Sequence, residues 1–160
     1  MKPDRFLPSG DEAKASVSTL CAMLDHAVAT APEAVALRHL EVALSYREVG
    51  RAVAALARRL AAIVRPGEVV ALVLPNSIEF PIAYFAALKA LAAPALLNPS
   101  YPAVELAPLL REAAPRAVLC APATRDTVAG LARELGIPSV VCLGQDVTAV
   151  SYTHLTLPTN

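Results

Sequence analysis

Four short aliphatic runs, each parted from the next by a helical stretch, decide what this chain can fold into. They occupy residues 69–74 (VVALVL), 92–97, 117–120 and 139–143. Apolar and β-branched residues follow one another in them without polar alternation. A run of that kind suits a strand covered on both faces, which is the condition of a parallel sheet. Between the runs lie stretches of helical character at 77–90, 100–113 and 124–135. Each strand–helix–strand step has about the length that a right-handed crossover needs. The expected fold is therefore α/β, with alternating β-α units and a largely parallel sheet.

The segments ahead of this rhythm carry local signals of their own. Residues 20–29 read as a short helix closed by Thr30-Ala31-Pro32. Val35-Ala36-Leu37 and Val42-Ala43-Leu44 read as a hairpin turning at His39-Leu40-Glu41. Ser45-Tyr46-Arg47-Glu48 has the form of a capping box, in which a hydroxyl and a carboxylate each accept from the other's amide. Behind it Val49, Val53, Leu56, Leu60 and Ile63 fall on one stripe of a helix, with Arg47, Arg51, Arg58 and Arg59 mostly off it. Asn76 and Glu79 resemble a second capping box, and the helix they open is apolar almost all round, which predicts deep burial. Ser77 and Ser100 also have capping explanations. Pro81 falls in a first turn, where a missing amide costs least. Pro108 is expected to kink or split its helix. Gly136 is placed to end the last helix.

Composition narrows the function. The chain has 160 residues, enough for one domain, and 56% are hydrophobic, which places it outside disordered compositions. Aromatics make up only 4%, so Ala, Val and Leu must build the core. Fourteen basic residues balance fourteen acidic ones. That leaves no surplus to neutralise nucleic-acid phosphates or to hold a membrane surface. The best candidate for a membrane span, 80–97, contains Lys89 and two prolines. It reads as a buried helix followed by a strand, so no integral membrane segment is expected. Cys21, Cys120 and Cys142 are odd in number and form no Cys-x-x-Cys pair. They read as reduced thiols of a cytoplasmic protein, Cys120 and Cys142 as core residues. Residues 1–15 read as a flexible lead-in without the apolar stretch of a secretory signal.

Residues 151–160 (SYTHLTLPTN) break the Ala/Arg/Pro character of the body. The alternation from Thr153 to Leu157 fits a strand. The peptide also resembles a translated sequencing-library adaptor, and it is expected to be a non-native tail outside the fold.

Chemistry-bearing motifs are absent from the pattern. The six glycines form no Gly-x-Gly pair, and no glycine-rich loop ends in Lys-Ser or Lys-Thr, so neither common phosphate cradle is present. Lys89 reads as a side chain snorkelling from a helix end. His26, His39 and His154 lie far apart, without metal-ligand spacing. Glu48 and Glu79 read as cap acids, Glu105 and Glu112 as a solvated face. No catalytic, cofactor-binding or metal-binding residue is expected within this chain.

The order of segments nevertheless resembles the opening of the AMP-binding, adenylate-forming superfamily. Residues 44–49 (LSYREV) match its Leu-Thr-Tyr-x-Glu-Leu-like cap and helix, and 67–71 (GEVVA) its Gly-Asp-x-Val-Ala strand. Residues 75–80 (PNSIEF) match its Pro-Asn-Ser helix, 88–91 (LKAL) its Leu-Lys-Ala-Gly, and Asn98-Pro99 the end of the next strand. Glu105-Leu106 resembles the Glu-Leu that follows. Two departures stand out: Leu91 replaces the usual Gly, which bears on strand entry, and Glu68 replaces the usual Asp. The likeness covers roughly 17–148 and implies that 16–150 form the N-terminal part of a truncated AMP-binding domain. Asn98-Pro99-Ser100-Tyr101 resembles the branch containing short and medium acyl, aryl and dicarboxylate CoA ligases.

What the resemblance implies is a two-step acid–thiol ligase. A carboxylate attacks the α-phosphate of ATP to give an acyl-adenylate, and coenzyme A then displaces AMP. The implied cofactors and partners are ATP, Mg²⁺, CoA and a small carboxylic acid. The family's phosphate loop and catalytic Lys have no counterpart in this sequence, so no site residue is carried over and the fragment is expected to be inactive alone. Two alternatives stand beside this reading. One is an adenylation enzyme that loads a carrier protein. The other is a free-standing, non-catalytic α/β binding module.

Overall fold

The computed structural model describes residues 19–144 and the backbone of 152–156. The expected lead-in, 1–15, lies outside the described residues. The elements are α1 (Leu20–Thr30), β1 (Val35–His39), β2 (Val42–Ser45), α2 (Tyr46–Ala61), β3 (Val69–Val73), α3 (Glu79–Lys89), β4 (Ala93–Leu97), α4 (Ala103–Ala113), β5 (Ala117–Cys120), α5 (Arg125–Leu135), β6 (Ser139–Leu143) and β7 (Tyr152–Thr156). The fold is α/β with a four-stranded parallel sheet, as the aliphatic runs predict. Strand order is β4-β3-β5-β6-β7. The first four strands are mutually parallel, and β7 pairs antiparallel to β6. The backbone of 152–156 thus adopts the strand its alternation suggests, within a segment set aside on composition.

From β3 the chain moves outward to β4, then returns past β3 to β5 and on to β6. A reversal of direction under right-handed crossovers puts successive helices on opposite faces. The packing follows this. One cluster joins α1, α2 and α3 to Val70, Leu72, Leu119, Val141 and Leu143. The other joins α4 and α5 to Ala71, Val73, Val118, Cys120, Val140 and Cys142. Alternate residues of each strand feed opposite clusters, as the pleat requires.

Local signals hold at the start of the chain. Ser45 caps α2, and its amide donates to Glu48 Oε2 at 2.8 Å in a complete capping box. Val49, Val53, Leu56 and Leu60 are buried. The hairpin turns at Leu40, whose φ is +52°. α1 lies close against α2, so that a Cβ on Gly50 would stand 2.9 Å from Val28 Cγ2.

Elsewhere the structure corrects the expectations. α3 begins at Glu79 with Ile78 as its cap and no side-chain cap bond, so the Asn76–Glu79 box does not form. Nor does Ser100 cap α4, whose cap is Pro102. Deep burial of α3 is confined to Ile82, Ala83, Ala86 and Ala87. Phe85 and Leu88 are half-buried, because small alanines let the helix approach the sheet and leave bulky residues at the flank. α4 runs through Pro108 without splitting. β4 is an edge strand with Ala93 and Leu96 exposed, where the expectation had it buried. An edge position also accounts for Pro94, since an outward-facing position requires no amide. Lys89 does not snorkel freely; it forms an ion pair with Asp25 that ties α3 to α1.

Candidate functional site

In open parallel sheets, ligands bind beyond the carboxyl ends of the strands, where the strand order reverses. That point lies here between β3 and β5. At this carboxyl edge lie the loops 74–78 after β3 and 98–102 after β4, on the outer side of β3, and 121–124 after β5, across the reversal point. Each follows a strand with aliphatic residues that bury it and then breaks on Pro, Asn or Ser. A cleft of about 440 Å³ opens between the first two loops, lined by Pro75, Asn76, Phe80, Leu96, Asn98 and Ser100, among others. The Ser100 amide donates to Asn98 Oδ1 at 2.9 Å, an Asx turn that commits this side chain to holding its own loop. No Lys or Arg lines the cleft, so its walls do not offset a triphosphate's charge.

A larger depression, about 820 Å³, lies at the amino ends, lined by Glu68, Arg111, Arg116 and Glu134 among others. Arg116 Nε donates to the Ile63 carbonyl at 3.2 Å. Strand direction outweighs volume in choosing between the two. The amino ends are where the helices finish, so carbonyls rather than free amides face the depression.

The chemistry-bearing residues singled out in the sequence stay dispersed. His26 and His39 are exposed, as are Glu105 and Glu112. His154 lies outside the residues whose side chains are described. Among the described residues no three His, Cys, Asp or Glu gather as a metal site. No helix among them is long and apolar enough to cross a membrane. Cys120 and Cys142, free and buried, are brought together as register partners on β5 and β6. Sequence reading placed each in the core but not side by side. The signal available was their common offset, near the end of two successive aliphatic runs.

The model of the AMP-binding enzyme family matches residues 24–155. The chain belongs to the AMP-binding enzyme family. No curated protein sequence matches it significantly. Among solved structures, it is similar to a protein of Rhodopseudomonas palustris described as a long-chain-fatty-acid CoA ligase, with 27% identity and a TM-score of 0.73, over 79% of this chain and 33% of that one. It is also similar to ATP-bound MatB from the same organism, with 25% identity and a TM-score of 0.70, over 88% of this chain and 29% of that one. The anthranilate CoA ligase AuaEII, at 20% identity and a TM-score of 0.72 over 78% of this chain and 24% of that one, shares the fold. This AMP-binding chain thus spans about a third or less of the length of these structures.

Proposed function

We propose that this chain is the opening part of an AMP-forming acid–thiol ligase. In the complete enzyme a carboxylate oxygen attacks the α-phosphate of ATP and pyrophosphate leaves. The CoA thiol then attacks the acyl carbon and AMP leaves. The observation that supports this reading is a family match across most of the chain, together with likeness at 27% identity to a protein described as a CoA ligase. What the described residues contribute is a scaffold. The parallel sheet holds the loops 74–78 and 98–102 at its carboxyl edge, and the helices on both faces fix their spacing. The acid is a small carboxylate, the acceptor is CoA rather than a carrier protein, and the enzyme works in the cytoplasm.

The 160 residues are also proposed to be inactive by themselves. A phosphate-binding loop is missing from the sequence, and the cleft at the carboxyl edge carries no cation. ATP–pyrophosphate exchange separates the possibilities. The purified chain is expected to give background exchange with acetate, malonate, benzoate or octanoate. A gene product that continues in frame beyond Val150 is expected to exchange with one of them and to form the acyl-CoA. Exchange by the 160-residue chain alone overturns the scaffold reading. A long product that charges a carrier protein but not CoA overturns the choice of acceptor.

A further inference from the structure

Cys120 and Cys142 take no part in the function proposed above, yet the fold sets them face to face. They are register partners on the parallel strands β5 and β6. Their side chains emerge on the same face, beneath α5, in one apolar cluster. Neighbouring strands lie about 4.8 Å apart, and disulfides span Cα separations of about 4.4–6.8 Å. Disulfides prefer Cβ atoms about 3.8 Å apart, closer than parallel side chains on strands about 4.8 Å apart stand. A bridge formed there is strained and therefore readily reduced.

The pair is not symmetric. Cys120 is fully buried and Cys142 is 7% exposed. Burial and the neighbouring Cys142 thiol push Cys120 up to about 12. Burial also raises Cys142, but the neighbouring Cys120 thiol and the Arg125 guanidinium both act to lower it. Cys142 is thus the thiol that solvent reaches and a peroxide meets first.

We propose that Cys142 and Cys120 form a reversible modification site, with Cys142 as the thiol that meets a peroxide and Cys120 as the thiol that resolves it. The Cys142 thiolate attacks one oxygen of hydrogen peroxide. The O–O bond breaks, and the departing hydroxide takes a proton to become water, leaving a sulfenic acid on Cys142. Cys120 then loses its proton and its sulfur attacks the Cys142 sulfur. The S–OH bond breaks and a second water leaves. The two sulfurs give up two electrons in all, and the peroxide accepts both. Burial keeps the thiolate scarce, so the crosslink builds slowly and tracks the opening of the α5 cover. Cys21, half-buried on α1, has no such neighbour among the described cysteines and serves as an internal control.

The test uses the whole reduced 160-residue chain, exposed to hydrogen peroxide at neutral pH, denatured, alkylated and mapped by mass spectrometry. The expected product is a peptide pair joined through Cys120 and Cys142, lighter by about 2 Da and restored by dithiothreitol. Dimedone present during oxidation is expected to mark Cys142 in the wild-type chain, and more strongly in Cys120→Ser, where the sulfenic acid cannot be resolved. Retention of alkylatable thiols at both positions after Cys21 has been oxidised overturns the site. Dimedone on Cys120 rather than Cys142 in the wild-type chain, a readout that needs no variant to fold, overturns the order of attack.

Discussion

The two faces of the sheet bury the same strands, but they are held by helices of different quality. On the first, α2 runs for 16 residues behind a complete capping box and buries Leu56 and Leu60 in the cluster that also holds Leu72 and Leu119, while α3 beside it has no side-chain cap bond. On the second, α4 carries Pro108 in its interior, and neither α4 nor α5 has a side-chain cap bond. Leu106, Leu110, Val128 and Leu131 are as well buried there as their counterparts opposite. On the first face α2 can form from local signals. The second acquires its helices chiefly because the sheet offers them an apolar surface.

That contrast predicts equal core costs despite unequal helices. Leu56→Ala on α2 and Leu110→Ala on α4 each lose about 3 kcal/mol in urea unfolding, since both truncate a fully buried Leu. A loss under about 1 kcal/mol for Leu110→Ala would make the second face a loose cover and break the comparison.

The same contrast explains how much could be read in advance. The four parallel strands, the capping box at Ser45 and the stop at Gly136 were legible, because each rests on residues adjacent in sequence. Gly136 ends α5 at a φ of +67°, a backbone that few other residues adopt cheaply. What escaped were matters of placement in three dimensions. The run of β4 is as apolar as the others, and its one local mark of an edge is Pro94, whose missing amide bars it from an interior strand. Asn76 and Glu79 have the right spacing for a cap, but the Ser77 amide donates to the Pro75 carbonyl at 2.9 Å, and the tight turn delays the helix to Glu79. The carboxyl-edge cleft was visible only as two unrelated turns. The cysteines facing each other across β5 and β6 needed the register, which no single run specifies.

Local signals are expected to matter where a side chain caps its helix and not where none does. Ser45→Ala loses about 1 kcal/mol by thermal unfolding near neutral pH. Ser77→Ala and Ser100→Ala, which remove no cap bond, stay within about 0.5 kcal/mol. The bonds Glu48 accepts from the Ser45 backbone amide and hydroxyl hold its carboxyl below the usual range. A lowered folded-state value contributes stability that is present above the unfolded carboxylate range and is lost as pH falls through the folded value. The Ser45→Ala penalty should therefore shrink in acid, and carboxyl chemical shifts should record Glu48 moving up in the variant. A penalty constant from neutral pH to acid would mean that the box contributes nothing through the carboxylate.

The smallest effect falls where the sequence departs from its family. Leu91 stands where the resemblance expects Gly, and its φ is +59° with the side chain 66% exposed. Its carbonyl accepts from the Gly67 amide at 2.8 Å, so the turn fixes the entry of both β3 and β4 and the backbone has no easy alternative. A non-glycine residue in this left-handed region costs about 1–2 kcal/mol. Glycine would relieve that strain, but it adds about 0.5–1 kcal/mol of chain entropy to the unfolded state. The little apolar contact an exposed Leu makes is lost as well. Leu91→Gly is thus expected to stabilise the chain by roughly 0.5 kcal/mol in urea unfolding, with no change in the m-value. A clear destabilisation would instead mean that Leu91 packs on something in solution and that the β4 edge is covered there.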